Sequence, residues 1–281
     1  MSYSVEVNRP FGLIIRAGKS DSSLEDVDIE ELKLKFHSES LLVLRGYKSF
    51  SGSESFAQYC EQWGEVSLWP FGKVLELVEQ KDPKDHIFDS NYVPLHWDGM
   101  YRPQVPEYQI FHCVKAPLKN GGGRTTFSNT LMALENASVE EKELWRKVTG
   151  KYQRKMEFYD SRSVSPIVCP HPYKEYSVIR YNEAPKSVGE SERKFLNPPN
   201  LRFEGLNDDE TEVFHSSLHE ALHSPANFYA HEWEDGDVVI ADNLTLLHGR
   251  EAFTANSPRH LQRVHVLSAH SIGNPALESY Q

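Results

Sequence analysis

The stretch Asn91–Tyr101 reads NYVPLHWDGMY and places His96 and Asp98 two positions apart. Residues i and i+2 of an extended strand point to the same side. We therefore expect an imidazole and a carboxylate to lie side by side here, as two ligands of one metal ion. The spacing predicts a strand that carries a metal site, and the third ligand has to come from elsewhere in the chain.

The segment Asp237–Glu251, DVVIADNLTLLHGRE, supplies a strand, a turn and then His248. Two histidines and one carboxylate form a facial triad with open positions, which suits non-heme Fe(II) that activates O₂. Catalytic zinc sites usually keep fewer open positions. Because the chain has 13 histidines, any one of them is more simply explained as a structural or surface residue, and the prediction depends on the surrounding residues.

Two arginines follow His248 in the segment Ser257–His265, SPRHLQRVH. Arg259 and Arg263 are four positions apart, so on a strand they share a face. Guanidinium groups near a metal bind carboxylates in bidentate pairs, as a dicarboxylate cosubstrate and an anionic substrate would provide. The net charge of −11 makes such local positive charge necessary for an anionic ligand, and it argues against non-specific nucleic-acid binding.

The 281 residues fit one large β-sandwich or barrel, and we expect a single domain over residues 1–281. Strand and helix patterns do not alternate regularly, so a doubly wound parallel sheet is disfavoured. A mainly β fold with added helices, closed as a jelly roll, fits better. Strands are predicted at Gly12–Arg16, Leu41–Arg45, Val74–Glu79, Glu107–Lys115, Ser177–Tyr181, Asp237–Ala241 and Leu261–Ser268, helices at Leu24–Phe36, Ser55–Trp63, Asn129–Val148 and Asp208–His223, and a long surface loop at Ser187–Asp208.

Composition limits where the protein is expected to work. No apolar run approaches the roughly 18 residues of a membrane span, and the first ten residues lack a secretory signal pattern. Three scattered cysteines do not make a disulfide framework. Together these features predict a cytoplasmic protein that binds neither membrane nor nucleic acid.

A second metal motif competes with the first. The run His219-Glu220-Ala221-Leu222-His223 matches H-E-x-x-H, the zinc-peptidase signature, in which two histidines share a helix face and the glutamate acts as base. The histidines fall on the polar side of the predicted helix, and Pro225 ends that helix without a further ligand motif. We therefore expect a solvated histidine-rich face, with a zinc peptidase as the remote alternative.

Four motifs in order give the chain a family resemblance. They are H-x-D at His96–Asp98, G-G-x-T at Gly122–Thr125, D-N-x-x-x-x-H at Asp242–His248 and R-x-x-x-R at Arg259–Arg263. This order resembles the taurine dioxygenase (TauD/TfdA) superfamily over about Leu41 to Val266. The longer runs at Trp69–Gln80, Asp85–Tyr101, Phe111–Cys113, Gly122–Ser128 and Ile240–Phe253 are similar to the branch of that superfamily that acts in isonitrile natural-product pathways.

The resemblance implies a fold, a cofactor set and roles for individual residues. The fold would be a double-stranded β-helix, the cupin-like jelly roll, with Fe(II) on His96, Asp98 and His248. 2-Oxoglutarate would chelate the iron and meet Arg259 and the hydroxyl of Thr125, and O₂ would be the oxidant. Asn243, with Asp242, would support the turn before His248 from outside the ligand set.

The same resemblance implies the substrate. An isonitrile derivative of tyrosine, supplied by an isonitrile synthase, would pair its carboxylate with Arg263 and contact Trp69, Tyr92 and Tyr101. The expected product is a vinyl isonitrile, formed by oxidation at the benzylic carbon with loss of the carboxylate. Hydroxylation of that carbon, hydroxylation of a different amino-acid derivative, and a catalytically silent binding protein remain alternatives. Arg124 departs from the Asp that is typical of taurine dioxygenases, which argues against a taurine-like substrate.

Overall fold

A computed structural model describes residues 3–19, 21–156, 159–185, 195–270 and 272–278. The α-helices are α1 (Ile29–Glu39), α2 (Ser53–Glu61), α3 (Thr130–Asn136), α4 (Val139–Arg146) and α5 (Asp208–His223), with short 3₁₀ helices at Leu24–Asp26 and His86–Phe88. The strands are β1 (Tyr3–Val7), β2 (Leu13–Ala17), β3 (Leu41–Arg45), β4 (Leu75–Val78), β5 (Val93–His96), β6 (Tyr108–Lys115), β7 (Thr125–Asn129), β8 (Thr149–Met156), β9 (Tyr159–Pro166), β10 (Val168–Pro170), β11 (Ser177–Ile179), β12 (Asn200–Glu204), β13 (Phe228–His231), β14 (Val238–Asp242), β15 (Leu246–Arg250), β16 (His260–Val266) and β17 (Leu277–Glu278).

Two sheets form the body of the fold. The larger has the order β1-β2-β3-β14-β6-β16-β4 and the smaller the order β13-β7-β15-β5. Pairing is antiparallel throughout these sheets except between β2 and β3. The predicted mainly β jelly roll with added helices is thereby confirmed.

The central strands of the larger sheet are buried on both faces, which explains their continuous apolar runs. In β14, Val239 and Ala241 face the smaller sheet and pack near Phe127 and Leu246. Val238 and Ile240 point the other way, into the cluster that α1 and α2 cover with side chains such as Phe36 and Phe56. Because β14 joins the two cores, the segment that follows it is held at a fixed position.

Each predicted strand coincides with an observed one to within two residues, but two helix predictions are wrong in their extent. The predicted helix Leu24–Phe36 is interrupted because Asp28 caps α1 by accepting hydrogen bonds from the N–H groups of Glu30 and Glu31. The predicted helix Asn129–Val148 is two helices, because Ser138 forms a capping box with Glu141 and starts α4.

Helix α5 spans Asp208–His223, as predicted, and Asn207 caps it. The loop prediction needs correction. The region predicted as a loop from Ser187 contains β12, which pairs with β8, while residues 186–194 lie outside the described part of the chain. Within the described residues, no helix is both long and apolar enough to cross a membrane.

Candidate metal centre

The imidazoles of His96 and His248 lie next to each other on adjacent strands of the smaller sheet. His248 on β15 is the antiparallel register partner of His96 on β5, and their ring centroids lie 4.1 Å apart. His96 Nδ1 lies 2.9 Å from the carbonyl oxygen of Pro94, so that nitrogen carries the proton and donates it. The lone pair of His96 Nε2 is therefore left for a metal ion.

Asp98 does not lie on the strand that the H-x-D spacing predicted. Strand β5 ends at His96, and Asp98 falls in the turn that follows. Asn243 holds this turn: its side-chain oxygen accepts from the Asp98 N–H, and its amide donates to the carbonyl oxygen of Asp98, each at 2.8 Å. The carboxylate still reaches the site, with Oδ1 3.7 Å from His96 Nε2.

One oxygen of Asp98 receives three hydrogen bonds. Oδ2 lies 2.7 Å from Nη1 of Arg263, 2.8 Å from Nε2 of His265 and 2.7 Å from Nε2 of Gln109. Burial opposes ionisation of Asp98, but the charge of Arg263 and the hydrogen bond from His265 outweigh it and hold the pKa of the carboxyl well below its usual range. Asp98 is therefore a carboxylate at neutral pH.

The chemical state of these side chains fits a divalent metal ion. Burial lowers the pKa of His96 and of His248, so both imidazoles are neutral and able to ligate at neutral pH. One donor atom from each of His96, Asp98 and His248 can be chosen so that all lie within 4.8 Å of one another. The set of two histidines and one carboxylate is the donor set expected for non-heme iron.

A small cavity beside His248 is lined by both predicted cosubstrate residues, Thr125 and Arg259, and by Arg263. Arg259 is 3 % exposed, and its Nε donates to the carbonyl oxygen of Gly123. Within the described part of the chain its Nη atoms have no hydrogen-bond partner. The Thr125 hydroxyl accepts from Nε1 of Trp233, which leaves its own proton to donate. A buried guanidinium and a hydroxyl donor are thus available to one carboxylate.

A larger cavity opens on the other side of His96 and Asp98, and Arg263 lines it as well. Aromatic and other apolar side chains dominate its wall; they include Trp69, Phe71, Phe88, Trp97, Met100, Tyr101 and Phe195. Trp69 and Tyr101, which we predicted to contact the substrate, are among the residues that line this cavity. Tyr92 lines an adjacent depression beside Glu183 and His223, and its ring centroid lies 6.1 Å from that of Phe195 in the cavity wall.

The structure adds to two sequence expectations in this region. His219 and His223 lie on a partly exposed face of α5, with side chains 41 % and 32 % exposed, and both imidazoles also bond to the carboxylate of Glu183, at 2.6 and 3.0 Å. Arg124 does not face either cavity beside the metal centre; it forms a bidentate pair with Glu251 at the protein surface. Its difference from the taurine dioxygenase pattern therefore carries no information about the substrate.

Sequence reasoning missed Gln109 and His265. Both stand on strands of the larger sheet, β6 and β16, where they are register partners of each other. Gln109 also lies 3.3 Å from Nδ1 of His248, so it touches two of the three candidate ligands. The available signal in the sequence was the polar Gln109 within a largely apolar strand. Gln109 is 1 % exposed in the structure, and a buried polar group needs a partner.

Comparison with known proteins places this geometry in a family. Residues 10–265 match the model of the family described as taurine catabolism dioxygenase TauD, TfdA family. A tyrosine isonitrile desaturase of Pseudomonas aeruginosa is 48 % identical over 272 residues, which cover 96 % of this chain and 92 % of the relative. A 3-((Z)-2-isocyanoethenyl)-1H-indole synthase of Fischerella ambigua is 37 % identical, covering 94 % of this chain and 96 % of the relative.

A solved structure agrees with these relatives. The chain superposes with a TM-score of 0.84 and 44 % identity on PvcB, described as an Fe, alpha-ketoglutarate dependent oxygenase from an isonitrile synthetic pathway. The match covers 99 % of this chain and 96 % of the solved one. The likeness therefore extends over nearly the whole chain.

Proposed function

The chain belongs to the TauD/TfdA family of dioxygenases, and we propose that it desaturates an isonitrile derivative of tyrosine using Fe(II), 2-oxoglutarate and O₂. The observation that carries the proposal is an aromatic-lined cavity whose inner wall contains two candidate iron ligands and Arg263. A cavity of this composition suits an aromatic substrate with one anionic group.

His96, Asp98 and His248 would hold the iron, each through one donor atom. When bound, iron with 2-oxoglutarate and O₂ supplies a two-electron oxidant and converts the cosubstrate to succinate and CO₂. Residues that are not themselves metal ligands hold Asp98 in position. Asn243 fixes the backbone of Asp98, and Gln109 and His265 fix its carboxylate.

Arg259 and Thr125 would bind the distal carboxylate of 2-oxoglutarate. Burial lowers the pKa of Arg259 to about 9, so the guanidinium remains charged at neutral pH. A buried cation with unused donors needs an anion, because leaving it unpaired in an apolar setting is costly. Gly123 permits the close approach of Arg259, since a Cβ on that glycine would lie 3.1 Å from Arg259 Cδ.

Arg263 would bind the substrate carboxylate at the inner end of the larger cavity, and Trp69 and Tyr101 would contact the ring. Held in this way, the substrate presents its benzylic carbon to the metal centre. It loses one benzylic hydrogen and, as CO₂, its carboxylate, which gives the vinyl isonitrile. Breaking these two bonds releases two electrons and one proton. With one further proton from solvent, they reduce the second oxygen atom of O₂ to water, so the overall reaction balances.

The alternative within the same site is hydroxylation at the benzylic carbon, of this substrate or of another amino-acid derivative. A second, structurally distinct alternative would use His219 and His223 as a peptidase zinc site. Glu220, which would have to act as its base, is exposed on α5. The match of residues 10–265 to the dioxygenase family favours the oxidative reaction.

Product analysis tests the proposal. Protein reconstituted without oxygen is given Fe(II), 2-oxoglutarate and tyrosine isonitrile, and O₂ is then added. We expect one succinate for each vinyl isonitrile formed, identified by mass spectrometry. Free tyrosine and the indole analogue of the substrate serve as controls. A hydroxylated product would favour the alternative, and succinate formed without any consumption of the isonitrile would overturn the substrate assignment.

The substrate implies an enzyme that acts before this one. An isonitrile synthase, which converts the tyrosine amine to the isonitrile, would have to act first. We propose that both steps take place in the cytoplasm and that residues 1–281 act as one catalytic domain.

A further inference from the structure

A second group of metal-binding side chains lies on the outside of the jelly roll. Among the described residues, two sets of three side chains bring their donor atoms within 4.8 Å of one another: the candidate iron ligands, and Glu183 with His219 and His223. We propose that Glu183, His219 and His223 form a binding site for a divalent transition-metal ion of the Zn²⁺ type, separate from the catalytic iron.

Helix α5 presents the two histidines as a rigid pair. His219 and His223 are one turn apart on the same face, with ring centroids 4.2 Å apart. The helix cannot rotate easily, because Phe214, Leu218 and Leu222 are fully buried on its opposite side. Its C-terminal end is anchored as well, by a hydrogen bond from Ser128 Oγ to the Leu222 carbonyl oxygen at 2.7 Å.

Glu183 is fixed independently of the helix. Its N–H donates to the carbonyl oxygen of Leu95 at 2.9 Å, and its Oε2 accepts from the N–H of Leu95 at 3.3 Å. The side chain is 12 % exposed, whereas those of His219 and His223 are 41 % and 32 % exposed. The three donors are therefore held in place on one side, and they are open to solvent on the other.

The donor chemistry favours a transition-metal ion. Two imidazole nitrogens and one carboxylate oxygen suit an ion such as Zn²⁺, whereas Mg²⁺ and Ca²⁺ prefer sites made of oxygen atoms. Glu183 Oε1 lies 2.6 Å from His219 Nδ1 and 3.0 Å from His223 Nε2. Ligand atoms around tetrahedral zinc stand about 3.3 Å apart, given bond lengths of about 2.0–2.2 Å, so shifts of well under 1 Å would admit the ion. The exposed side leaves room for water as a further ligand.

Such an ion would connect three parts of the structure: α5, the segment that holds Glu183, and β5 through Leu95. Glu183 also lines the aromatic cavity, and Leu95 directly precedes His96. We therefore expect occupancy to stabilise the wall of that cavity. A set of hydrogen bonds from the histidines to Glu183, without any metal, is the competing explanation of the same geometry.

Counting bound Co²⁺ separates the two explanations, because Co²⁺ replaces both Fe²⁺ and Zn²⁺ and absorbs visible light when coordinated. Untagged protein should bind two equivalents. The double substitution His219→Gln and His223→Gln, on an exposed helix face, should leave one, and His96→Ala with His248→Ala should leave the other. His215→Gln, one turn earlier on the same helix, is the matched control and should keep both.

Thermal unfolding supplies a readout that does not involve activity. Zn²⁺ should raise the Tm of the His96→Ala, His248→Ala protein, and this shift should disappear when His219→Gln and His223→Gln are added. One equivalent of Co²⁺ in the unsubstituted protein, with no change on substitution of His219 and His223, would overturn the proposed site while leaving the dioxygenase function intact. Loss of bound Co²⁺ only when His96 and His248 are substituted would likewise overturn the proposed second site.

Discussion

His248 lies directly opposite His96 in the antiparallel pairing of β15 with β5, although 152 positions separate them in the sequence (248 − 96 = 152). The spacing of the two imidazoles is therefore set by backbone hydrogen bonding rather than by side-chain contacts. Immediately after this pair, the register shifts between His248 and Arg250, which marks an irregularity at Gly249.

Gly249→Ala should separate the two strands and weaken metal binding. A Cβ at this position would stand 2.6 Å from the carbonyl oxygen of Val93 on β5 and 2.9 Å from Thr126 Oγ1 on β7. We expect at least a tenfold rise in the Kd for Co²⁺ at the candidate iron site, together with a lower Tm. Gly273→Ala, where a Cβ meets nothing within 4 Å, is the control. Unchanged metal affinity in Gly249→Ala would show that the strand spacing is not critical.

Arg259→Ala should raise the KM for 2-oxoglutarate. Removing one partner of a buried, hydrogen-bonded charge pair costs about 2–5 kcal/mol, which corresponds to roughly 30-fold or more in affinity. Steady-state kinetics with 2-oxoglutarate varied would measure this. Arg124→Ala, which removes an exposed arginine paired with Glu251, should leave that KM within about threefold. A KM that stays the same in Arg259→Ala would place the cosubstrate elsewhere.

Arg263→Gln should weaken substrate binding and leave 2-oxoglutarate binding nearly unchanged. The KM for the isonitrile is expected to rise at least tenfold, because its carboxylate loses a charged partner. A smaller loss of metal affinity should accompany it, since Arg263 also supports Asp98. Arg16→Gln is the control, because it removes an exposed arginine that pairs with Glu6 and is distant in sequence from Arg263. If Arg263→Gln loses affinity for 2-oxoglutarate instead of affinity for the isonitrile, the roles of Arg259 and Arg263 are exchanged.

Asn243→Ala should reduce metal affinity about 10- to 100-fold, the usual range for residues that orient metal ligands from outside. The substitution removes both hydrogen bonds that position the backbone of Asp98. Co²⁺ titration measures the effect, and Asn200→Ala on the exposed strand β12 is the control. Wild-type affinity in Asn243→Ala would mean that Gln109, Arg263 and His265 are sufficient to place the carboxylate.

The free energy of unfolding should decrease as the pH is lowered, and His171 should account for part of this pH dependence. Burial lowers the pKa of His171 to about 4, and its Nδ1 accepts from the N–H of Tyr173. Below the unfolded value of about 6.5, the unfolded chain takes up a proton that the folded chain does not. The free energy of unfolding should therefore drop as pH falls from about 6.5 towards 4, by up to about 1.4 kcal/mol per pH unit for this group.

Urea denaturation at about pH 7 and about pH 5 would measure this slope. His171→Asn keeps an acceptor for Tyr173 but does not titrate, so the difference in stability between the two pH values should shrink. His270→Asn, at an exposed position, should behave as the unsubstituted protein does. An equal slope in His171→Asn would contradict the assignment.

The central strands could be predicted from sequence because both their faces are buried, so that β3 and β14 are apolar up to their last residues, Arg45 and Asp242. The strands β8 and β9 could not, because TGKYQRKM and YDSRSVSP carry few apolar residues in alternation. They pair with each other and with β12 as a partly exposed extra sheet. Backbone pairing, rather than burial of an apolar face, is what identifies them.

His96, Asp98 and His248 come together in the structure, as the order of the H-x-D and D-N-x-x-x-x-H motifs led us to expect. Glu183 could not be connected with His219 and His223, because a single acidic residue between Asn182 and Ala184 has no local pattern. Only the docking of α5 against the segment after β11 brings these side chains together. Contacts between distant elements determine sites of this kind, and the local sequence does not record them.

A carboxylate can offer a metal ion one oxygen or both. In Asp98, hydrogen bonds from Arg263, His265 and Gln109 already occupy Oδ2, so Oδ1 is the atom left to coordinate. Through that single oxygen Asp98, together with one nitrogen from each histidine, would supply three ligands to the metal and leave its other positions for small molecules. Three side chains that need never touch the metal would thus set the denticity of the aspartate, and with it the number of exchangeable ligands.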